Sequence, residues 1–406
     1  MSESIRSRVE AALRRPATPK LVALALLIGA TAVAAQVAPV TPSTPSTPRP
    51  PKTGQVGLLE VKPRIEAVFV LDTTGSMDGL IEGAKQKIWT LASEMANAQN
   101  RPEIRMGLVA YRDRGDDYVT RRFDLSPDLD ALYAELNGLV ADGGGDGPES
   151  VNQALHEAVT QMAWTTDPNV YRVVFLVGDA PPHMDYAQDV HFPKTAELAK
   201  QRGIAINTIQ CGSDGSTTEV WRQIAGLARG DFAAIAQDGA MVAIATPVDD
   251  ELAQLNAALS ETVLPYGAAE QRREIEAKVA RARNAPPPAA ASRLSYLEKS
   301  GGKVNSGRSD LVDALKSGEV ELARVPEAEL PRELQGLEPP AKTAAVEAKR
   351  VERERIQGRI SELVKQRDTY LADERAKRKA EGSADAFDDK VLETVKEQAA
   401  AQGIRY

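Results

Sequence analysis

IEAVFVLDTTGSM (65–77) is a run apolar but for Glu66 that ends abruptly in Asp72, Thr74 and Ser76. A largely apolar run of this length predicts a central strand of a parallel sheet, buried on both faces. Ligands of open α/β sheets sit just beyond the carboxyl ends of the strands. The three side chains at alternate positions therefore stand where a small ligand would bind. A carboxylate with two hydroxyls is an oxygen-only donor set. Such a set suits a hard divalent cation, Mg²⁺ first, with Mn²⁺ or Ca²⁺ as alternatives.

Two further segments belong with this one. VVFLVGDAPPH (173–183) is another apolar strand ending in an acid, Asp179. GGGDGPES (143–150) is a glycine-rich loop leading into a helix, and it offers Asp146 and Glu149. The D-x-T-x-S string with these two loops, in this order, resembles the metal-ion-dependent adhesion site of von Willebrand factor A (VWA) domains, whose usual form is D-x-S-x-S. The resemblance covers roughly residues 61–262. It implies a metal held by Asp72, Thr74, Ser76 and Asp179, with a fifth ligand from the middle loop. Adhesion domains of animals usually carry Thr in that loop. Here Asp146 is the expected ligand because it follows the glycines directly, and Glu149, counted back from the helix, is the alternative. A third acid should tighten metal binding and weaken the metal's pull on a partner's acidic side chain, the usual mode of capture in the resembled family.

Simpler readings exist for each segment. Asp72 suits a helix N-cap with a turn at Thr74–Gly75, and Asp146 suits a cap for a helix starting near Pro148. Asp179 before Ala180-Pro181-Pro182 suits a plain turn. An enzymatic reading also starts at Asp72, because phosphatases of the haloacid dehalogenase type carry an aspartyl nucleophile at a strand end. They place a second Asp two residues on as general acid. Thr74 stands there instead and cannot act as an acid near neutral pH. No Ser-His-Asp or Cys-His arrangement points to a hydrolase, and Gly143-Gly144-Gly145 lacks the G-K-[ST] ending of a phosphate loop. The expectation is a protein without catalytic residues.

Length and composition bound the rest. At 406 residues the chain should hold more than one domain, and 42% apolar residues suffice for a sizeable core. A net charge of −8 argues against a nucleic-acid binder, which would need a basic face. Cys211 is the single cysteine, so no internal disulfide can form. Residues 1–35 read as a signal peptide. Arg6, Arg8, Arg14, Arg15 and Lys20 precede LVALALLIGATAVAA, and Ala32 and Ala34, or Val33 and Ala35, suit a signal peptidase. The apolar run is short for a membrane span of about 20 residues, so a cleaved signal is preferred to an uncleaved anchor. Residues 36–60 are a Pro/Thr/Ser-rich spacer. These features predict export to the periplasm or beyond, or anchoring at the inner membrane.

Strand and helix patterns then alternate from 65 to 236, which predicts a doubly wound, mostly parallel α/β sheet. From 263 to 406 the pattern is helical. APPPAAAS (285–292) reads as a break, and 341–382 reads as one long charged helix. Its apolar stripe is not a clean heptad. Packing of one face on its own domain is the plain expectation, and self-association as a coiled coil the alternative. YRDRGDDY (111–118) reads as a solvated charged loop. His183, Asp185 and His191 form a weak zinc candidate, with His183 alternatively on the rim where partners dock. The function expected is divalent-cation-dependent binding of an unidentified protein partner, through an acidic side chain of that partner at the metal. A metal-stabilised scaffold of the envelope is the alternative.

Overall fold

Six strands form one sheet in the order β3-β2-β1-β4-β5-β6. The computed structural model describes residues 62–145, 147–237, 244–304, 309–381 and 386–406. The signal and spacer segments, and Asp146, lie outside them. β1 (Arg64–Asp72) and β4 (Val170–Gly178) are the central pair, and every residue of β4 is buried. β2 (Glu103–Tyr111), β5 (Ile204–Cys211) and β6 (Phe232–Ile235) run parallel to them. β3 (Thr120–Ser126) is antiparallel to β2 at the edge. It exposes Arg121 and Arg122, charges that discourage pairing with another chain.

Side chains of a strand alternate between faces, and the two faces bury different helices. α1 (Asp78–Ala96) follows a 3-10 turn at Gly75–Met77, and α2 (Leu129–Asn137) follows β3. α3 (Val151–Thr160), α4 (Phe192–Gln201) and α5 (Gly215–Leu227) come later in the chain. Val68, Val70, Val174, Leu176 and Ile206 pack against α3, α4 and α5, with Trp221 wholly buried among them. Ile65, Ala67, Val173, Phe175 and Ile209 face the other way, toward α1 and α2.

That second face also takes helices beyond the sheet, α6 (Asp249–Ser260), α7 (Ala269–Arg283), α8 (Pro287–Ser300), α10 (Pro339–Ala380) and α11 (Ala386–Ala400). α9 (Leu311–Ser317) packs instead in a separate small cluster with Leu264, Leu330, Leu334 and Val346. Leu252, Leu294, Ile356, Ile360, Leu363, Val391 and Val395 all belong to the core cluster that contains the β1 and β4 side chains. The described residues belong to one compact unit.

APPPAAAS does separate two helices, α7 and α8, but the break is confined to its first two residues and the rest opens α8. Pro286 is the N-cap of α8, and Pro287 and Pro288 occupy its first turn, where a missing N–H removes no helical bond. α6 and α7 were not anticipated. α7 buries only Ile275, Lys278 and Ala282, too few apolar positions to show a stripe. The long helix is α10, and its apolar residues Val346, Ile356, Ile360, Leu363, Val364 and Leu371 are spent on its own domain. Only Val351 and Tyr370 stay exposed, which leaves no seam for a coiled coil.

Buried arginines tie these helices to one another and, through Arg293, to α2. Arg293 of α8 donates two hydrogen bonds to Asp130 of α2, at 2.6 and 2.9 Å, and others to Asn256 Oδ1 and Val304 O. Arg353 of α10 bonds Thr262, Asp310 and Asp313. Arg367 bonds Asp249 and Ser292. All three arginines are at least nine-tenths buried. Removing one partner of such a pair strands the other charge away from water. Arg293→Ala should therefore lower the free energy of unfolding by about 3–5 kcal/mol, measured by urea titration. A loss under about 1 kcal/mol, the range of a surface pair, would mean that water reaches Asp130.

Candidate metal centre

β1 and β4 are neighbours, and the chain leaves β1 toward one side of the sheet and β4 toward the other. Their carboxyl ends thus flank the point where the strand order reverses, the usual location of a ligand crevice. Asp72 closes β1 and Asp179 follows β4 directly. Asp72 is fully buried, and its Oδ1 accepts from the Thr74 N–H at 2.9 Å and the Thr74 hydroxyl at 2.7 Å. The Thr74 and Ser76 hydroxyls stand 3.3 Å apart. The alternate residue Thr73 points away and bonds the Tyr111 carbonyl at 2.8 Å and the Tyr118 hydroxyl at 2.7 Å. The D-x-T-x-S spacing therefore places three oxygen-bearing side chains in one line while Thr73 fastens the loop to β2.

The glycine loop lies against this turn. Gly75 donates to the Gly143 carbonyl at 3.2 Å, and Asp142 donates to the Thr73 carbonyl at 3.1 Å. Gly143 and Gly144 both have positive φ, near 78° and 77°. A β-carbon on Gly144 would come within 2.7 Å of Thr74 Cβ and 2.9 Å of Glu149 Oε1. Thr74 and Glu149 thus both press on Gly144 and leave no room there for even a methyl group. The Glu149 backbone bridges to the β4 loop, donating to Pro181 O at 2.9 Å and accepting from His183 N at 3.0 Å.

Asp179 Oδ2 accepts from Gln237 Nε2 at 2.6 Å, and the same amide lies 3.5 Å from the Ser76 carbonyl. Gln237, just past β6, was not anticipated. A single Gln after a short strand carries no pattern by which to find it. The Thr217 hydroxyl and Trp221 Nε1 hold the carbonyls of Asp179 and Ala180, so α5 fixes this loop. Gly178 is needed for closeness. A β-carbon there would overlap the Tyr111 hydroxyl and approach Asp72 Oδ2 to 3.0 Å.

The charged string 111–118 is not a solvated loop. Arg112 and Asp113 are each only 5% exposed. Arg112 donates to the carbonyls of Thr73 and Val140, at 3.2 and 2.7 Å. Asp113 accepts from the Ser150 and Tyr186 hydroxyls, at 2.8 and 2.9 Å. Asp116 Oδ2 accepts the N–H groups of Asp113 and Gly144, both at 3.1 Å. The string is charged because it binds three loops together through backbone groups and hydroxyls. His183 is likewise buried rather than on the rim. It pairs with Asp185 at 2.8 Å, lies 3.4 Å from Asp113, and stacks on Tyr186. His191 is the N-cap residue of α4. Among the described residues no three His, Cys, Asp or Glu side chains are grouped to hold a metal, so the zinc candidate does not assemble. A cation at the end of β1 has to draw on the Thr74 and Ser76 hydroxyls and on water as well as on carboxylates.

Two buried carboxylate oxygens, Asp72 Oδ2 and Glu149 Oε2, have no well-formed hydrogen bond. Burial pushes the Asp72 carboxyl up to about 7, against the two Thr74 bonds, and the nearby Asp179 charge adds to the rise. Glu149 is pushed up to about 9, first by burial and then by Asp72, Asp113, Asp116 and Asp179. A carboxyl whose folded pKa is raised binds a proton more tightly when folded. Its stability contribution is full below the unfolded pKa and declines as pH rises through the folded one. The metal-free chain should accordingly lose stability from about pH 4 to pH 7 through Asp72, and on toward pH 9 through Glu149. Urea midpoints in chelator at pH 5, 7 and 9 should fall in that order, and Asp72→Asn should flatten the lower half. Midpoints that rise with pH would contradict this electrostatic account.

The sequence profile of the von Willebrand factor A domain matches residues 66–238. An alpha-protein kinase of Dictyostelium discoideum, vwkA, is 32% identical over 122 residues, covering 29% of this chain and 19% of that protein. Von Willebrand factor A domain-containing protein 7 of Homo sapiens is 34% identical over 125 residues, covering 31% of this chain and 13% of that protein. The chain thus spans less than a fifth of the length of these curated relatives. Among solved structures, the SpRpn10 VWA domain aligns with a TM-score of 0.34 and 13% identity, over 47% of this chain and 94% of that one. An aerotolerance-related membrane protein from Bacteroides fragilis aligns with a TM-score of 0.30 and 15% identity, over 43% of this chain and 92% of that one. Residues 66–238 of this chain are a von Willebrand factor A domain.

Proposed function

We propose that the protein binds another protein outside the cytoplasm, in a manner that depends on a divalent cation held at the ends of β1 and β4. Domains of this class act in general as protein-interaction modules. The cation reading rests on one observation above all. Asp72 is completely buried at the tip of a central strand, in line with two hydroxyls, and its Oδ2 has no well-formed hydrogen bond, only the Tyr111 hydroxyl beside it. A buried carboxylate oxygen so poorly paired costs several kcal/mol as a charge, and a hard cation is the group that would relieve it. Thr74 and Ser76 would hold Mg²⁺, or Mn²⁺ or Ca²⁺, through their hydroxyls, with Asp72, Asp179 and an acid of the middle loop, Asp146 or Glu149, acting directly or through water. Mg²⁺ is commonly bound through one or two carboxylates and keeps several waters. The cation would fix the three loops together and supply a positive centre at the docking face.

A purely structural cation is the second reading, and Glu149 favours it, because a third carboxylate leaves less of the metal's charge for a partner. Phosphoester chemistry at Asp72 gains nothing from the structure, since Thr74 spends its hydroxyl on Asp72 itself. The export reading stands on the basic start and apolar run of residues 1–35. Among the described residues no helix is long and apolar enough to cross a membrane. Sequencing of the mature N-terminus should begin near Ala35 or Gln36. A full-length chain recovered from the cytoplasm would refute export.

Mg²⁺ at ~100 times its dissociation constant should stabilise the chain by about 2.7 kcal/mol, by linkage. Asp72→Asn should abolish that gain and leave a folded, more pH-tolerant protein. Thermal melting with Mg²⁺, Mn²⁺ and Ca²⁺, each against chelator, reads both effects. The absence of any shift with all three cations would refute the site.

A further inference from the structure

We infer that Glu149 supplies the carboxylate that a partner would otherwise bring to the cation, so that the site is completed from within and partners are not captured through an acidic side chain. This inference rests on the cation-site reading above and concerns what fills the metal's remaining face.

The placement of Glu149 carries it. Its Oε1 packs on Gly144 together with Thr74, the hydroxyl residue bonded to Asp72, each so close that a β-carbon on Gly144 would clash with both. Only a glycine, here with positive φ, lets the loop approach the two side chains this closely. The side chain is 3% exposed, and its Oε2 has no partner in the protein. Its backbone is held on both sides by the loop that carries Asp179, through Pro181 and His183. Glu149 is thus a fixed carboxylate between all three loops, not a surface acid that swings in and out. A buried carboxylate with an unmet oxygen, rigidly set beside Thr74, is arranged as a ligand.

Charge points the same way. Asp72, Glu149 and Asp179 together carry more negative charge than one divalent cation can cancel. Asp117, Asp142 and Asp185 add exposed acids on the loops around them. The arginines nearby are committed, Arg112 to backbone carbonyls and Arg114 to Asp189. An approaching carboxylate meets net repulsion here, even with the cation present. A partner suited to this face brings neutral or basic groups.

The test uses the full chain with Mn²⁺ as probe. Affinity and metal-bound water are read by water-proton relaxation, with and without sodium acetate as the free carboxylate. The wild-type chain should bind Mn²⁺, with relaxation insensitive to acetate. Glu149→Thr should weaken Mn²⁺ by about 10–100-fold, admit additional bound water, and make that water displaceable by acetate. Glu149→Gln keeps the volume and removes the charge. It should lose affinity without gaining an acetate response, and it carries the test if the Thr variant does not fold. Asp146→Ala should leave acetate insensitivity intact. Wild-type affinity in both Glu149 variants, or acetate competition on the wild-type chain, would overturn the inference while the cation site stands. No Mn²⁺ binding by the wild-type chain, indistinguishable from Asp72→Asn, would remove the site and the inference together.

Discussion

The pair of hydrogen bonds from Thr74 to Asp72 Oδ1 organises the functional end of this domain. They close a tight turn at the tip of a fully buried strand and fix which carboxylate oxygen points inward. Everything around the turn is shaped to that placement. Gly178 lacks a side chain so that Asp72 and Tyr111 can sit against β4. Gly143 and Gly144 adopt positive φ so that the middle loop can lie on Thr74 and Gly75. Asp113 and Asp116 pair with hydroxyls and N–H groups to hold that loop from behind. The outcome is a preorganised set of oxygens whose electrostatic conflict, marked by the raised Asp72 and Glu149 carboxyls, is internal to the fold. Perturbed carboxyls at a strand-end crevice are a common mark of a functional site.

The helices after the sheet serve the same end by a different route. One face of the sheet is covered by α3, α4 and α5, but α1 and α2 share the other with α6, α8, α10 and α11. The covering is not greasy contact alone. Arg293, Arg353 and Arg367 are each satisfied by carboxylates, hydroxyls or carbonyls from elements far apart in the chain. Such pairs are poor sources of net stability but strongly penalise any arrangement that separates the partners. They bind α8 and α10 to one seating on the domain. A rigid back face lets binding energy at the front be used for recognition rather than for ordering the loops.

Much of this was legible in the residues. Strands buried on both faces are mostly apolar, which is why β1 and β4 stand out despite Glu66 and Arg172. Asp72, Thr74, Ser76 and Asp179 were legible for the same reason, because polar residues stop those runs abruptly. The choice within the middle loop was not. Spacing alone allowed Asp146 or Glu149, and only the backbone bridge to Pro181 and Pro182 shows Glu149 turned in beside Thr74. The supporting residues were hidden by long-range pairing. Asp113 meets Ser150 and Tyr186, 37 and 73 positions away, and its own neighbourhood is so charged that it resembles a solvated loop. Gln237 is found only once β6 has been placed. The Pro-rich start of α8 misled because proline breaks helices in their interior and not in their first turn.

The central claim is that three loops, far apart in sequence, are joined by one cation. Amide hydrogen exchange of the full chain with Mg²⁺ and with chelator addresses it most directly. The account predicts that Mg²⁺ raises protection together in segments 73–77, 142–150 and 179–184, that Asp72→Asn cancels all three increases, and that α10 changes little. Unchanged exchange in these segments, or protection gained in only one of them, would contradict it.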